Sequence, residues 1–435
     1  MLEKILILKS YIKYKYLLKF KDRQKLEKYQ NKRIMQHLRY VVGKSEFYKN
    51  LYKGYNLEEL NKMPIINKQI MMDNFNELNT LGVNKEKAFE LAISSEKSRE
   101  FQEKLKGITV GLSSGTSGHR GLFLASDAEK SVWAGAMFAK MLPKGISSKY
   151  KIAFFMRADS NLYQSVKSKN IEFNFFDMMI KIDDYIDRLN EFMPDILIAP
   201  PQVLIKLSDL RTSGLLKVIP EKIISVAEVL EKTDEEKIKK AFKKEIIHQV
   251  YQCTEGFLAY TCECGTLHIN EDIVKIEKEY IDKNRFIPII TDFTRKTQPI
   301  IRYRLNDILV DKQEKCMCGS VYMAIDKIEG REDDSFIFKN EDSDEFVTVY
   351  PDFIRRCILY ASDITEYRVI QLAVNKIEIQ INEVEKADES VKINIKNEFY
   401  KLSKMMNFEL SQINFESIRV ESGKKLRRVE RKFKI

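Results

Sequence analysis

The sequence predicts an α/β protein with a large N-terminal domain of mixed, mainly parallel sheet and a small α+β domain behind it. Three observations carry this. Between residues 151 and 251, short apolar runs alternate with charged stretches of helical length, the pattern of parallel strands joined by covering helices. After Glu255 the texture turns β-rich. A second change of composition follows Asp333-Asp334. The expected organisation is a basic helical arm over 1–54, a large domain over 55–332 and a small C-terminal domain over 333–435.

In order along the chain, Leu17, Leu18, Leu26, Ile34, Leu38 and Val41 recur at roughly helical spacing in the arm. Residues 108–110 form a β-prone run, and 127–139 read as helix. Strands are expected at 152–156, 171–176, 195–199, 223–226 and 246–250, with helices at 182–192, 202–210 and 234–243 between them. Further strands are expected at 265–269, 273–279, 287–291 and 300–304. In the small domain, 366–372 and 376–381 read as a hairpin, 390–405 as a helix and 413–420 as a strand. Ligands of open parallel sheets bind beyond the carboxyl ends of the strands. Ala199-Pro200-Pro201, Ala227-Glu228 and Thr254-Glu255 each fall at such an end.

The 435 residues leave room for a large and a small domain, and the 44% hydrophobic content is ordinary for a globular chain. No apolar run approaches the length of a membrane span. Lys9, Lys13 and Lys15 interrupt the only candidate signal-peptide core, so the default location is the cytoplasm. The net charge of +10 is concentrated at one end: residues 1–54 hold 15 Lys/Arg against 4 Asp/Glu, and the rest is near neutral. Such an arm suits an anionic membrane surface or an acidic carrier protein, or is a solvated helix packed on the main domain. Nucleic acid ranks last, because no recognition module accompanies the charge.

Four of the six cysteines fall in two pairs that repeat one tetrapeptide form, Cys262-Glu263-Cys264-Gly265 and Cys316-Met317-Cys318-Gly319. Paired clusters of this kind suit thiolate ligation of a structural Zn2+ by Cys262, Cys264, Cys316 and Cys318, with His268 as a substitute ligand. The bland alternative is reduced thiols in adjacent loops.

The stretch most charged with chemistry is Gly111-Leu-Ser-Ser-Gly-Thr-Ser-Gly-His-Arg-Gly121. Glycines let backbone N–H groups approach phosphate oxygens, and the hydroxyls add small donors. Its spacing is not that of a Walker A loop. It is followed, in fixed order, by Tyr251-Gln-Cys-Thr-Glu-Gly256, Ile301-Arg-Tyr-Arg-Leu-Asn-Asp307, Glu329-Gly-Arg-Glu-Asp-Asp334 and Gly423-Lys424. From about Phe47 to the C-terminus this ordered set resembles the adenylate-forming superfamily of acyl-CoA synthetases and ligases. Within it, the branch of phenylacetate-CoA ligase and coenzyme F390 synthetase-related proteins is the most similar.

That resemblance implies ATP and Mg2+ as cofactors, a small carboxylic acid as substrate, and coenzyme A or a carrier's phosphopantetheine as acyl acceptor. It implies that Ser113, Ser114, Gly115, Thr116, Ser117 and Gly118 hold the leaving phosphates. Arg120 stands near the place where superfamily members carry a lysine. Thr254 would bond the nucleotide phosphate and Glu255 would hold Mg2+. Tyr251, Ala227 and Glu228 would line adenine, Asp307 would take both ribose hydroxyls, and Arg331 would contact ribose or phosphate. Asp333 matches the hinge of a mobile C-terminal domain, and Lys424 (with Lys425 one residue away) its catalytic lysine. Asn306 replaces the usual glycine before Asp307. Arg302 and Arg304 are expected to divide between nucleotide and solvent. Phe154, Phe155, Phe175 and Phe176 are candidates for an acyl pocket or for core, and Arg157 for pairing with a substrate carboxylate or with a carrier. Transfer of AMP to a cofactor hydroxyl, and a non-catalytic nucleotide-bound scaffold, are the alternative readings.

Overall fold

Helices cover both faces of a large mixed sheet in the first of two compact units, and the second is a smaller α+β unit. The computed structural model describes residues 2–113, 120–156, 169–361, 364, 366–381, 389–418 and 427–433. The first unit comprises Met1–Leu230, Glu235–Leu305 and Val310–Lys327; the second comprises Glu231–Asp234, Asn306–Leu309 and Ile328–Ile435.

The strands of the large sheet are β3 Tyr150–Met156, β4 Ile171–Asp177, β5 Ile196–Ala199, β6 Lys222–Val226, β7 His248–Cys253, β8 Gly256–Thr261, β9 Leu267–Ile269, β10 Val274–Tyr280, β11 Arg285–Asp292, β12 Ile300–Arg304, β13 Asp307–Asp311 and β14 Ala324–Arg331. Ahead of them a separate hairpin joins β1 Thr109–Leu112 to β2 Leu122–Ala125. The sheet runs β10-β11-β13-β14-β9-β8-β7-β6-β5-β3-β4, with β12 paired to β11. Strands β4, β3, β5, β6 and β7 are mutually parallel, as the alternation of runs and helices predicts. From β8 onward the described pairings are antiparallel. The reason is connection length: β7 and β8 are joined by the two residues Thr254 and Glu255, room for a hairpin but not for a crossover helix.

Strand β3 is buried on both faces, as a central parallel strand must be. Ile152 and Phe154 pack under the helix Asp127–Met141, while Ala153 and Phe155 face Leu189, Leu204 and Leu207 on the other side. Phe155 stacks on Phe176 with ring centroids 4.7 Å apart, so these two aromatics are core.

The N-terminal arm belongs to the first unit. Leu26, Ile34, Leu38 and Val41 of the helix Arg23–Val42 are buried, whereas Leu17 is exposed. Ahead of it the helix Leu2–Ile12 lies against Asp127–Met141 so closely that a Cβ on Gly135 would stand 2.5 Å from the Ser10 Cβ. Only glycine permits that approach. Ser126 begins the helix Asp127–Met141 with a capping box closed by Glu129.

In the second unit, β15 Phe336–Lys339 and β16 Phe346–Val349 form a hairpin. A four-stranded sheet runs β19 Gln412–Ser417, β18 Lys376–Ile381, β17 Tyr367–Ala373 and β20 Val429–Arg431. The expected hairpin is β17–β18, and the expected helix is Glu389–Met406. Ile377, Ile379, Ile395, Phe399 and Phe408 form its core.

Candidate functional site

Parallel pairing brings the carboxyl ends of β5, β6 and β7 to one edge of the first unit. Ala199 lies opposite Ser225, and Val226 opposite Val250. Beyond β5 the helix Pro201–Thr212 begins, and its Gln202 Nε2 donates to Glu228 Oε1 at 2.7 Å. Beyond β6, Ala227 takes φ 69°, in the left-handed region that a side chain rarely occupies. The Glu228 N–H closes back on the Val226 carbonyl at 2.9 Å, a three-residue turn that folds the chain over the strand end. Strained backbone of this kind at a strand end is a frequent mark of a binding edge.

Beyond β7, Thr254 and Glu255 make the two-residue turn into β8. Thr254 Oγ1 donates to Glu255 Oε2 at 2.9 Å, and the Tyr303 hydroxyl donates to Oε1 at 3.0 Å. Each carboxylate oxygen therefore has a protein donor among the described residues, and the group stays half-buried. Burial pushes the Tyr303 phenol well above its ordinary range, with the adjacent Glu255 adding to the effect, so its hydroxyl remains a donor. Gly256 is required next: a Cβ there would stand 2.9 Å from Asp292 Oδ2. Asp292 is fully buried, and that burial raises it to about 6 in spite of the Thr294 hydrogen bonds. Tyr251 is buried within β7.

Arg295 joins this turn to the glycine-rich segment. It donates to the Thr254 carbonyl at 2.5 Å and to the Leu124 carbonyl at 3.1 Å, on the β1–β2 hairpin that brackets residues 113–121. At the hairpin's mouth the Ser113 N–H donates to the Gly121 carbonyl at 2.7 Å, and Ser113 Oγ accepts from the Gly121 N–H at 2.7 Å. Arg120 donates to both oxygens of Glu96, at 2.7 and 2.5 Å, and to the Ser113 carbonyl at 3.2 Å. Ser114, Gly115, Thr116, Ser117, Gly118 and His119 lie outside the described residues, as do Arg157, Gly423, Lys424 and Lys425.

The second unit carries the remaining expected residues. Arg331 Nε stands 3.6 Å from Asp307 Oδ1. Asn306 Nδ2 donates to Asp333 Oδ2 at 2.6 Å, and the Glu332 N–H to the Asn306 carbonyl at 2.7 Å. An asparagine here thus ties Asp307 to the turn Glu332–Asp334, which a glycine has no side chain to do.

Arg302 and Arg304 correct an expectation. Neither divides from the other between nucleotide and solvent; both turn to β10. Arg302 pairs with Glu277 at 2.8 Å and also donates to the Met63 carbonyl, and Arg304 pairs with Glu279 at 2.7 Å. Glu277 and Glu279 are two apart on β10 and share a face, and Arg302, with its φ of 44°, and Arg304 each reach one of them.

The cysteine repeats fold into two matching turns. In each, the N–H two residues on donates to the first cysteine's sulfur, at 3.4 Å for Cys264 to Cys262 and 3.5 Å for Cys318 to Cys316. In each, the glycine N–H closes on that cysteine's carbonyl and the glycine takes a positive φ, 81° at Gly265 and 71° at Gly319. The ligand atoms of Cys262, His268, Cys316 and Cys318 all lie within 4.8 Å of one another, with Cys262 and Cys316 sulfurs 3.6 Å apart. Tetrahedral Zn–S bonds of about 2.3 Å place ligands about 3.8 Å apart, so the donor set fits a zinc ion. His268 Nε2 faces Cys318 Sγ at 3.4 Å, while Nδ1 stands 3.2 Å from the Tyr322 carbonyl. A carbonyl on the far ring nitrogen is the usual support of a ligating histidine. Cys264 is exposed and stands outside the four. Burial works against ionisation of Cys316, yet hydrogen bonds from Thr266, the Cys318 N–H and His268 outweigh it and bring this thiol down to about 6.

Tyr303 and Arg295 escape sequence reasoning as site residues. Tyr303 stands inside a motif read for its arginines and Asp307, and a period-two count from either arginine would have put it on the opposite face. Nothing local marks Arg295.

No protein-family profile and no curated protein matches the chain. Among solved structures, it is similar to 2-hydroxyisobutyryl-CoA ligase in the postadenylation state with 2-HIB-AMP, at 15% identity and TM-score 0.68, over 93% of this chain and 89% of that one. It is also similar to the GH3.15 acyl acid amido synthetase, at 10% identity and TM-score 0.60, over 94% and 92% of the two chains. The amide bond synthetase McbA from Marinactinospora thermotolerans follows at 11% identity and TM-score 0.53, over 75% and 69%. The fold of this chain is that of the adenylate-forming ligases.

Proposed function

We propose that the protein is an ATP-dependent acid–thiol ligase. A carboxylate oxygen attacks the α-phosphorus of ATP and pyrophosphate leaves. A thiol sulfur then attacks the acyl carbon, its proton is released and AMP leaves. The observation that carries this reading is the Glu255 carboxylate, oriented by Thr254 and Tyr303 at the carboxyl end of β7 and braced by Arg295 to the hairpin of the glycine-rich loop. Such chemistry asks the protein mainly to position reactants and neutralise charge.

In this reading Glu255 holds Mg2+, a hard cation that takes carboxylate oxygens beside water and phosphate. With Mg2+ taken by Glu255, the Thr254 hydroxyl is free to turn its single proton from that carboxylate to the α-phosphate, and residues 113–118 hold the departing phosphates. Arg120, gripped by Glu96, fixes the C-terminal root of that loop. Tyr251, Ala227 and Glu228 line adenine, and Asp307 and Arg331 take the ribose. Lys424 bridges the carboxylate and α-phosphate during adenylation, and Asp333 is the hinge on which the second unit turns. The kinship proposed is with the phenylacetate-CoA ligase and F390 synthetase-related branch, and coenzyme A is the favoured acceptor. Cys262, His268, Cys316 and Cys318 hold a structural zinc that pins two loops of the first unit.

A screen of carboxylic acids by ATP–pyrophosphate exchange tests the reading, with products identified by mass spectrometry. Free AMP and a thioester are expected. An AMP-linked hydroxyl product would replace thiol transfer with nucleotidyl transfer, and no exchange with any acid would favour a scaffold. Lys424→Ala should abolish most adenylation while sparing thioester formation from preformed acyl-AMP; equal loss in both, or loss only in Lys425→Ala, removes Lys424 from its role.

A further inference from the structure

The helix Leu2–Ile12 is apolar on two opposite sides, and the fold uses only one. Ile7, Ser10 and Tyr11 are buried, the last two at 8% and 4% exposure. Leu2, Ile5, Leu8 and Ile12 stand in solvent at 72%, 44%, 48% and 41%, and Tyr16 and Leu17 continue the line at 58% and 72%. At 3.6 residues per turn, Ile5, Leu8 and Ile12 fall within about 60° of one another, across the helix from the buried side. The exposed Lys4 and Lys9 fall on opposite flanks of this ridge, and exposed Lys19 and Lys21 follow beyond its end. Lys13, by contrast, is turned inward, and its burial lowers its pKa.

A solvated helix has no use for an apolar ridge, and a core helix has no use for lysines along its edges. An apolar face rimmed by lysines matches a bilayer interface: the side chains enter the acyl boundary while the lysine stems follow them and the ammonium groups stay among the headgroups. Oppositely charged lipid adds attraction at each lysine near the surface. We infer that this ridge docks the protein on an anionic phospholipid surface, in the plane of the interface. The helix is far too short to span the bilayer, and no described helix is long and apolar enough to do so. The inference is independent of the ligase reading, since it concerns only the surface of the arm.

Co-sedimentation of the full-length chain with phosphatidylcholine vesicles, with and without phosphatidylglycerol, tests it. Binding is expected to the anionic vesicles, weakened by added salt, and much less to the zwitterionic ones. Ile5→Asp and Ile12→Asp should each lower partitioning about tenfold, and Lys4→Gln or Lys9→Gln about fivefold. All four sites are exposed, and an unchanged melting temperature verifies the fold. Leu8→Trp supplies a second reading without a charge in the ridge, with a blue-shifted emission expected on anionic vesicles. Wild type left in the supernatant, no shift for Leu8→Trp, or Asp variants that bind as wild type overturn the proposal. So does a wild-type dimer that Ile5→Asp converts to monomer, because a second copy then covers the ridge.

Discussion

Replacing Tyr303 by phenylalanine isolates the contact on which the proposed site turns. The ring is 2% exposed, so phenylalanine keeps its packing and opens no cavity; the one loss is the hydroxyl donated to Glu255 Oε1 at 3.0 Å. A hydrogen bond to a charged group is worth about 1.5–3 kcal/mol. Glu255 is half-buried, so water can reach the vacated oxygen, and the cost to stability should fall at or below the lower end of that range. Catalysis has less room to recover. Water satisfies the carboxylate without holding its angle, and at about 1.4 kcal/mol per tenfold the same interaction is worth roughly 10–100-fold in rate. ATP–pyrophosphate exchange, measured with the best acid from the screen and titrated with Mg2+, should show that drop together with a higher Mg2+ requirement. Thr254→Val removes the other donor and should cost at least as much; the double variant should lose less than the product of the two, because both act through one carboxylate. Exchange at the wild-type rate in Tyr303→Phe, with Thr254→Val crippled, would show that Tyr303 is packing and Thr254 acts alone. A loss fully accounted for by unfolding would refute the argument equally.

Metal analysis should find about one zinc per chain, retained in Cys264→Ser and lost in His268→Gln and Cys316→Ser; retention in His268→Gln with loss in Cys264→Ser would restore the four-cysteine set. His37 is buried, neither ring nitrogen has a hydrogen-bond partner among the described residues, and burial lowers it to about 4. The unfolded chain then binds a proton that the fold refuses, so stability should fall as pH drops from about 6.5 towards 4, by about 2–3 kcal/mol. Thermal melts of His37→Leu should lack that part of the pH dependence, and an unchanged profile would clear His37. Gly256→Ala drives a methyl against the buried Asp292 carboxylate and should cost about 1–3 kcal/mol, with exchange activity falling further because Glu255 is its neighbour. Calorimetry indistinguishable from wild type would contradict that crowding.

Read alone, the sequence determined the parallel half of the sheet. Runs such as 152–156 and 223–226, apolar on both faces and separated by charged helical stretches, have no other low-energy use. It likewise determined that Ala227-Glu228 and Thr254-Glu255 end strands of that sheet, because a strand's direction follows from a parallel connection. The two Cys-x-Cys-Gly turns were legible as a pair, since the motif dictates its own local geometry. Only the tertiary structure decided what meets across distance. β14 pairs with β9 so that Ala324 lies opposite His268, which helps set the imidazole among sulfurs that Cys264 does not join. Tyr303 reaches Glu255, and Arg295 reaches both Thr254 and Leu124, through strand neighbours that no local period encodes. The turn of Arg302 and Arg304 towards β10 depends on β11 pairing with both β10 and β12, which sets Glu277 and Glu279 within their reach. The first helix shows the limit most plainly: its sequence is apolar on two sides, and packing against the helix Asp127–Met141, where Gly135 leaves room for Ser10, decided which side the fold would bury.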